Sequence, residues 1–336
     1  MSKIVSTQIQ LVAYPAGWPT LQDFRAIQVT YGRLLPGQVR VLNEFISVDP
    51  YMRFRMNAAN SWAFRLGETM TGTAVGRVVE SAAEHLPVGS IVLHEYGWRD
   101  VAQEPAEGFN LIPEYPGIPH SLHLGMFGLV GLTAYAGLTR VAGLRRGETV
   151  YVSGAAGAVG STAGQLARLL GAGRVIGSAG SKEKVDLLVN RYGYDAAFNY
   201  KDGLIAEQLA AVAPEGIDVF FDNVGGDHRI AALTALNSGG RAVLCGAISV
   251  YNETGFPSSP QNPAVNASRS IELLPFTVAD YLDLAPQFRG LMVKWLSEGA
   301  IRYDETVVDG VEHAPQAFLD MMRGRSIGKM IVRTNT

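Results

Sequence analysis

Two rhythms of apolar and polar positions divide the chain. Up to about residue 120, short runs alternate apolar with polar residues and are cut by glycine and proline, and the runs at 38–48, 72–80 and 90–94 predict strands of a mostly β region. The apolar stretch at 121–138 predicts a helix, weakened by its four glycines. After Gly147 the rhythm changes to strand 148–154, a small-residue turn, helix, strand 174–180 and helix 181–193. Helix 203–213, strand 216–226, helix 228–236 and strand 240–249 continue it. Strands and helices alternating at these lengths predict a parallel sheet covered on both faces. Residues 251–261 are turn-rich, 281–298 read as helix, and the tail from Ile301 mixes a helix with a strand. The predicted division is therefore 1–122, a substrate domain; 123–300, an α/β Rossmann-type doubly wound domain; and 301–336, a return to the first domain.

Composition narrows the function classes. A chain of 336 residues exceeds what one core usually serves. Its 28 basic and 31 acidic residues give a net charge of −3 with no basic block longer than a pair, so it carries no electrostatic footprint for nucleic acid or an anionic membrane. No long apolar run or leader-like start is present, which predicts a cytoplasmic protein without a membrane span. The single cysteine, Cys245, leaves neither an intrachain disulfide nor a cysteine-cluster zinc site, and its apolar strand AVLCGAI suggests an inert buried thiol. His120 and His123 are spaced for one helix face but lack an acid or cysteine to complete a metal set, so no metal is expected. Ser153-Gly154 lacks the G-x-S-x-G elbow of a hydrolase.

The strongest constellation follows the strand at 148–154. Gly154, Gly157 and Gly160 stand at steps of three, with Ala156, Ala158 and Val159 between them, and a helix follows. Small residues let the backbone approach a pyrophosphate, and the new helix offers free N–H groups to the charge. An NAD site places an acid near the end of the second strand. Here that stretch is VIGSAGS at 175–181, with no acid, and Lys182 and Lys184 follow; an ammonium there suits a 2′-phosphate, which favours NADPH.

Several motifs together resemble the zinc-independent medium-chain dehydrogenase/reductases of the prostaglandin reductase, leukotriene B4 dehydrogenase and curcumin reductase group. They are VDPYMRFRM at 48–56, LTAYAGL at 132–138, SGAAGAVGSTAGQLARLLG at 153–171, AGSKEKV at 179–185, FNY at 198–200, FDNVGG at 221–226 and CGAISVYN at 245–252. The resemblance covers essentially the whole chain. It implies a GroES-like substrate domain and reduction by NADPH of the carbon–carbon double bond of an α,β-unsaturated ketone or aldehyde. It also implies Lys184 and Tyr200 as ligands of the 2′-phosphate with Ser178 and Ser181 as helpers, Asn223 on the nicotinamide side, and Tyr251 by the nicotinamide ribose and the reacting enone. Ser326, in S-I-G-K where relatives usually read N-L-G-K, stands in the place of a cofactor-contacting asparagine. Two further departures are Phe54, where glycine is common, and Val130, where proline is common.

Hydride transfer to an enone builds negative charge on its carbonyl oxygen, and a tyrosine hydroxyl can stabilise it without a metal. Tyr251 is the first candidate and Tyr51 the second; Tyr251 and water both stand as sources of the α-carbon proton. Asp49, Arg53 and Arg55 are expected to fix a loop by ion pairing. Tyr51, Phe54, Trp62, Trp98, Tyr251 and Phe256 are candidate pocket residues. A quinone reductase, a non-enzymatic NADPH-binding sensor and a silent scaffold are the alternatives. A homodimer is expected, with AVLCGAI as one candidate interface strand.

Overall fold

The computed structural model describes residues 4–253 and 269–334. Alternation becomes sheet from the first residues described: β1 (Ile4–Leu11) pairs antiparallel with β2 (Phe24–Tyr31). There follow β3 (Gln38–Ser47), β4 (Ala74–Ser81), β5 (Ile91–His94), β6 (Val101–Pro105) and β7 (Phe109–Leu111). One face of these strands buries Val39, Val41, Val78, Val92 and Phe109 in a common cluster. Trp98 is fully buried and stacks on Phe24 at 6.1 Å, so this expected pocket residue belongs to the core.

The expected helix over 121–138 is shorter. A 3₁₀ turn at His120–Leu124 is followed by α1 (Leu129–Ala136), which runs into a π turn at Gly137–Val141. Gly128 leaves helical geometry, and a Cβ on Gly131 would lie 1.8 Å from the Met126 carbonyl oxygen, so glycine there permits a tight entry into α1.

The alternating units then appear in order: β8 (Thr149–Val152), α2 (Ala158–Leu169), β9 (Arg174–Ala179), α3 (Lys182–Asn190), β10 (Ala196–Asn199), α4 (Ile205–Val212), β11 (Ile217–Asp222), α5 (Gly226–Ala235), β12 (Leu236–Leu244), β13 (Glu272–Pro275) and α6 (Ala285–Ser297). All neighbouring strands are parallel, in the order β10-β9-β8-β11-β12-β13. This is the 3-2-1-4-5-6 order of a dinucleotide-binding sheet. Tyr151 stacks between Phe198 and Phe220 at 5.9 and 5.1 Å in its core. Truncating Phe220 to alanine is expected to cost about 3–5 kcal/mol. β12 is held by β11 and β13 on its two sides, so the strand entering Cys245 is interior and offers no free edge for a second copy.

The tail adds β14 (Glu305–Asp309), α7 (Ala314–Met322) and β15 (Lys329–Arg333). β15 pairs with β3, closing a seven-stranded sheet with the first strands. The chain thus forms two compact units, Met1–Leu124 with Glu305–Thr336, and Gly125–Asp304. None of the described helices is long and apolar enough to cross a membrane.

Candidate active site

The order of the parallel sheet reverses between β8 and β11, and the carboxyl edge at such a point is where open α/β sheets take ligands. The loop after β8 is built for close approach. Gly154 adopts φ +60°, a left-handed conformation suited to glycine, and Gly157 is the extended residue before α2. A Cβ on Gly160 would meet the Gly154 carbonyl oxygen at 2.4 Å, so the helix can start this close to the strand only with glycine there. Ala156 is buried in the turn, and Ala158, Val159 and Gly160 form the first turn of α2, whose N–H groups have no partner within the helix. The Ala155 N–H donates to the Ser178 carbonyl (2.9 Å), tying the turn to β9.

The end of β9 gathers the next group. Ser181 caps α3, its Oγ accepting from the Lys184 N–H at 3.3 Å. Tyr200, just past β10, lays its hydroxyl over Gly180, 3.0 Å from where a Cβ would sit. Lys184 is half-buried; burial lowers its pKa, the neighbouring Lys201 charge lowers it further, and Glu183 opposes both. The Lys182 Nζ instead pairs with Asp186 at 2.6 Å on the exposed face of α3. The Ser178 hydroxyl is buried and bonded to the Tyr151 hydroxyl at 2.9 Å, so its side chain belongs to the core and its carbonyl serves the turn. Lys201, next to Tyr200, was not among the candidates read from the sequence, and its charge acts on Lys184.

At the ends of β8 and β11 the polar groups are densely bonded. Asp222 is fully buried; its Oδ1 accepts from the Ser153 hydroxyl (3.0 Å) and the N–H groups of Val224 (3.0 Å) and Gly225 (2.8 Å), and its Oδ2 from Arg229 Nε (2.7 Å). Asn223 donates its side-chain amide to the Ser153 carbonyl (2.8 Å). The loop after β12 brings Tyr251 to the same place. Its hydroxyl accepts from the Ala247 N–H (3.2 Å) and lies 3.3 Å from a Cβ built on Gly246, which would itself be 3.1 Å from the Asn223 carbonyl oxygen. Burial holds the Tyr251 phenol above its ordinary pKa, against the Ala247 hydrogen bond. The Cys245 thiol is pushed up to about 12 by burial, which favours its protonated form at neutral pH.

In the first unit, Tyr51 stacks on Trp62 at 6.1 Å, and Trp62 and Phe54 are 52% and 42% exposed. Burial, then Asp49 and Glu95, raise the Tyr51 pKa, while a hydrogen bond with Arg55 works the other way. Glu95 is solvent-accessible, yet the protein atoms crowding its carboxyl raise its pKa, and Thr73 donates to it at 2.8 Å. Around Tyr51, Asp49 pairs with Lys329 (2.9 Å), Arg53 donates to the Gly17 carbonyl (2.6 Å), and the Arg55 guanidinium lies 3.9 Å from the centre of the Phe64 ring. Ser326 is buried in the turn before β15 of this unit. Phe256 lies outside the described residues. His120 pairs with Glu44 at 2.7 Å, and no group of three metal-ligating side chains occurs among the described residues.

A doubly wound sheet with a small-residue turn at its switch point, joined in one chain to a β-rich unit bearing an open tyrosine–tryptophan face, has the make-up of a two-domain dehydrogenase or reductase. Comparison with known proteins agrees. Family profiles described as the N-terminal domain of oxidoreductase and as zinc-binding dehydrogenase match residues 7–112 and 158–296. Prostaglandin reductase 1 of Bos taurus is 42% identical over 94% of this chain and 95% of its own length. The NADP(+)-dependent 2-alkenal reductase of Nicotiana tabacum is 37% identical over 98% of each. A crystal structure of CurA from Vibrio vulnificus in complex with NADPH superposes with a TM-score of 0.92 at 38% identity, covering 98% of this chain and 99% of that one. The chain belongs to the medium-chain dehydrogenase/reductase family, in the zinc-independent group of the prostaglandin, 2-alkenal and curcumin reductases, and it is an oxidoreductase.

Proposed function

We propose that this oxidoreductase uses NADPH to reduce the carbon–carbon double bond of α,β-unsaturated ketones or aldehydes. The observation that carries the cofactor part of the reading is the small-residue turn at the switch point, with Lys184 on the first turn of α3 and Tyr200 over Gly180 where an NAD site would hold an acid; the double-bond part is supported by the similarity to prostaglandin, 2-alkenal and curcumin reductases. The residues fit the cofactor. Gly154, Ala156, Gly157, Ala158, Val159 and Gly160 offer backbone to the pyrophosphate, and Ser181, Lys184 and Tyr200 hold the 2′-phosphate. Asn223 and Tyr251 serve the nicotinamide end, and Ser326 is assigned to the cofactor by its place in the S-I-G-K segment alone. NADPH bound there supplies a hydride for the β-carbon of the substrate.

The protein's part is to orient the enone and to stabilise charge on its carbonyl oxygen. Tyr251 is suited to this because a phenol is protonated at neutral pH and can donate a hydrogen bond, a state that burial only reinforces. Tyr51 has the same property and is assigned the second, substrate-side hydroxyl. Arg55 and Trp62 hold its ring in place.

The test is NADPH oxidation against a panel of enones and enals, with a quinone as control and the carbon product identified. Saturated ketones or aldehydes are expected. Turnover of the quinone alone, or an allylic alcohol as product, would overturn the double-bond assignment. The reading also carries a homodimer, and light scattering that returned the 36.1 kDa mass of one chain would remove that part.

A further inference from the structure

Lys201 has no role in the reading above, yet it stands among the residues that carry it. It follows Tyr200, and its Nζ lies 5.7 Å from the centre of the Tyr200 ring. Lys184 comes to the same neighbourhood from the first turn of α3, close enough for the two charges to act on each other. Like charges converging from different elements repel, more strongly as water is excluded. A dianion held by both ammonium groups converts that repulsion into attraction.

The surroundings keep this arrangement in place. Asn199 accepts from the Lys201 N–H at 3.2 Å and donates to Asp202 at 2.6 Å, fixing the turn from which Lys201 projects. The Tyr200 ring is backed by the buried imidazole of His228 at 5.0 Å, so its hydroxyl stays over Gly180.

We propose that Lys201 is a second cation for the 2′-phosphate of NADPH, acting with Lys184 and Tyr200, and therefore a determinant of the choice between NADPH and NADH. This rests on NADPH being the cofactor. Lys182 is the natural control, because it carries the same charge in the same region but is turned to Asp186.

The experiment is equilibrium titration of NADPH and NADH, read by nicotinamide fluorescence, for the wild type and the Lys201→Ala, Lys201→Arg and Lys182→Ala variants. In Lys201→Ala the Kd for NADPH is expected to rise about tenfold, with that for NADH unchanged. Lys201→Arg and Lys182→Ala should stay close to the wild type. A wild type that binds both cofactors equally would overturn the NADPH reading itself. A wild-type preference for NADPH that persists in Lys201→Ala would overturn the role of Lys201 alone, as would an equal loss of affinity for both cofactors.

Discussion

The two ends of the sheet's carboxyl edge are built differently. At the ends of β8 and β11, Asp222 satisfies four donors from a fully buried position and holds Ser153, Asn223 and Arg229 in one network. At the end of β9, Lys184, Tyr200 and Lys201 are more open to solvent and converge through charge and ring contact. A buried network fixes geometry before any ligand arrives, whereas partly exposed cations contribute affinity once an anion is present. Changes at the first end should therefore appear in stability and turnover, and changes at the second in cofactor affinity.

The largest effect is expected for Asp222→Ala, which strands Arg229 and several donors in a buried place. A loss of about 3–5 kcal/mol in stability is expected from chemical denaturation; a loss below about 1 kcal/mol would mean the network is not what holds this end.

Tyr251→Phe should come next, reducing enone turnover about tenfold or more while leaving the NADPH Kd nearly unchanged. Equal turnover at saturating substrate would remove Tyr251 from the chemistry. Lys184→Ala should reverse that pattern: the Kd for NADPH rises about tenfold relative to that for NADH, and kcat at saturating NADPH moves little. An unchanged ratio in paired titrations would break the contrast between the two ends.

A further effect acts in both units through pH. Burial pushes the pKa of His94 down to about 3 and that of His228 to about 4, from 6.5. Each imidazole is neutral in the folded state and takes a proton more readily when unfolded. Their stabilising contribution is full above pH 6.5 and is lost as pH falls toward these values, by up to about 1.4 kcal/mol per histidine per pH unit. His94→Gln should flatten the stability profile between pH 6 and 4, and an unchanged slope would show that His94 is not the group being protonated.

Much of this was legible along the chain, because periodicity reports local structure. The β8, β9, β11 and β12 units, the small-residue turn, and the missing acid after β9 all depend on neighbours in sequence, whereas the four-residue edge strand β10 was not legible. Edge strand β13, the β1–β2 hairpin and the interior position of β12 were not legible, because pairing partners are chosen by distant segments. Glu95 was missed for the same reason: only the fold brings it near Tyr51 and Arg55.

What the sequence alone determined is the class of chemistry: a dinucleotide turn, no cysteine set for a metal, and lysines where an acid would otherwise stand. The direction of each lysine was left to the tertiary structure. Residues 182 and 184 are two apart on a helix and so point to different sides, and the fold turned the first to Asp186 and brought the second within reach of the Lys201 charge. On β9, strand alternation sent the Ser178 hydroxyl into the core against Tyr151, and packing against Phe24 and Phe318 did the same to Trp98. A side chain's type is written in the sequence, but its direction is set by the backbone that carries it and the surfaces it must pack against.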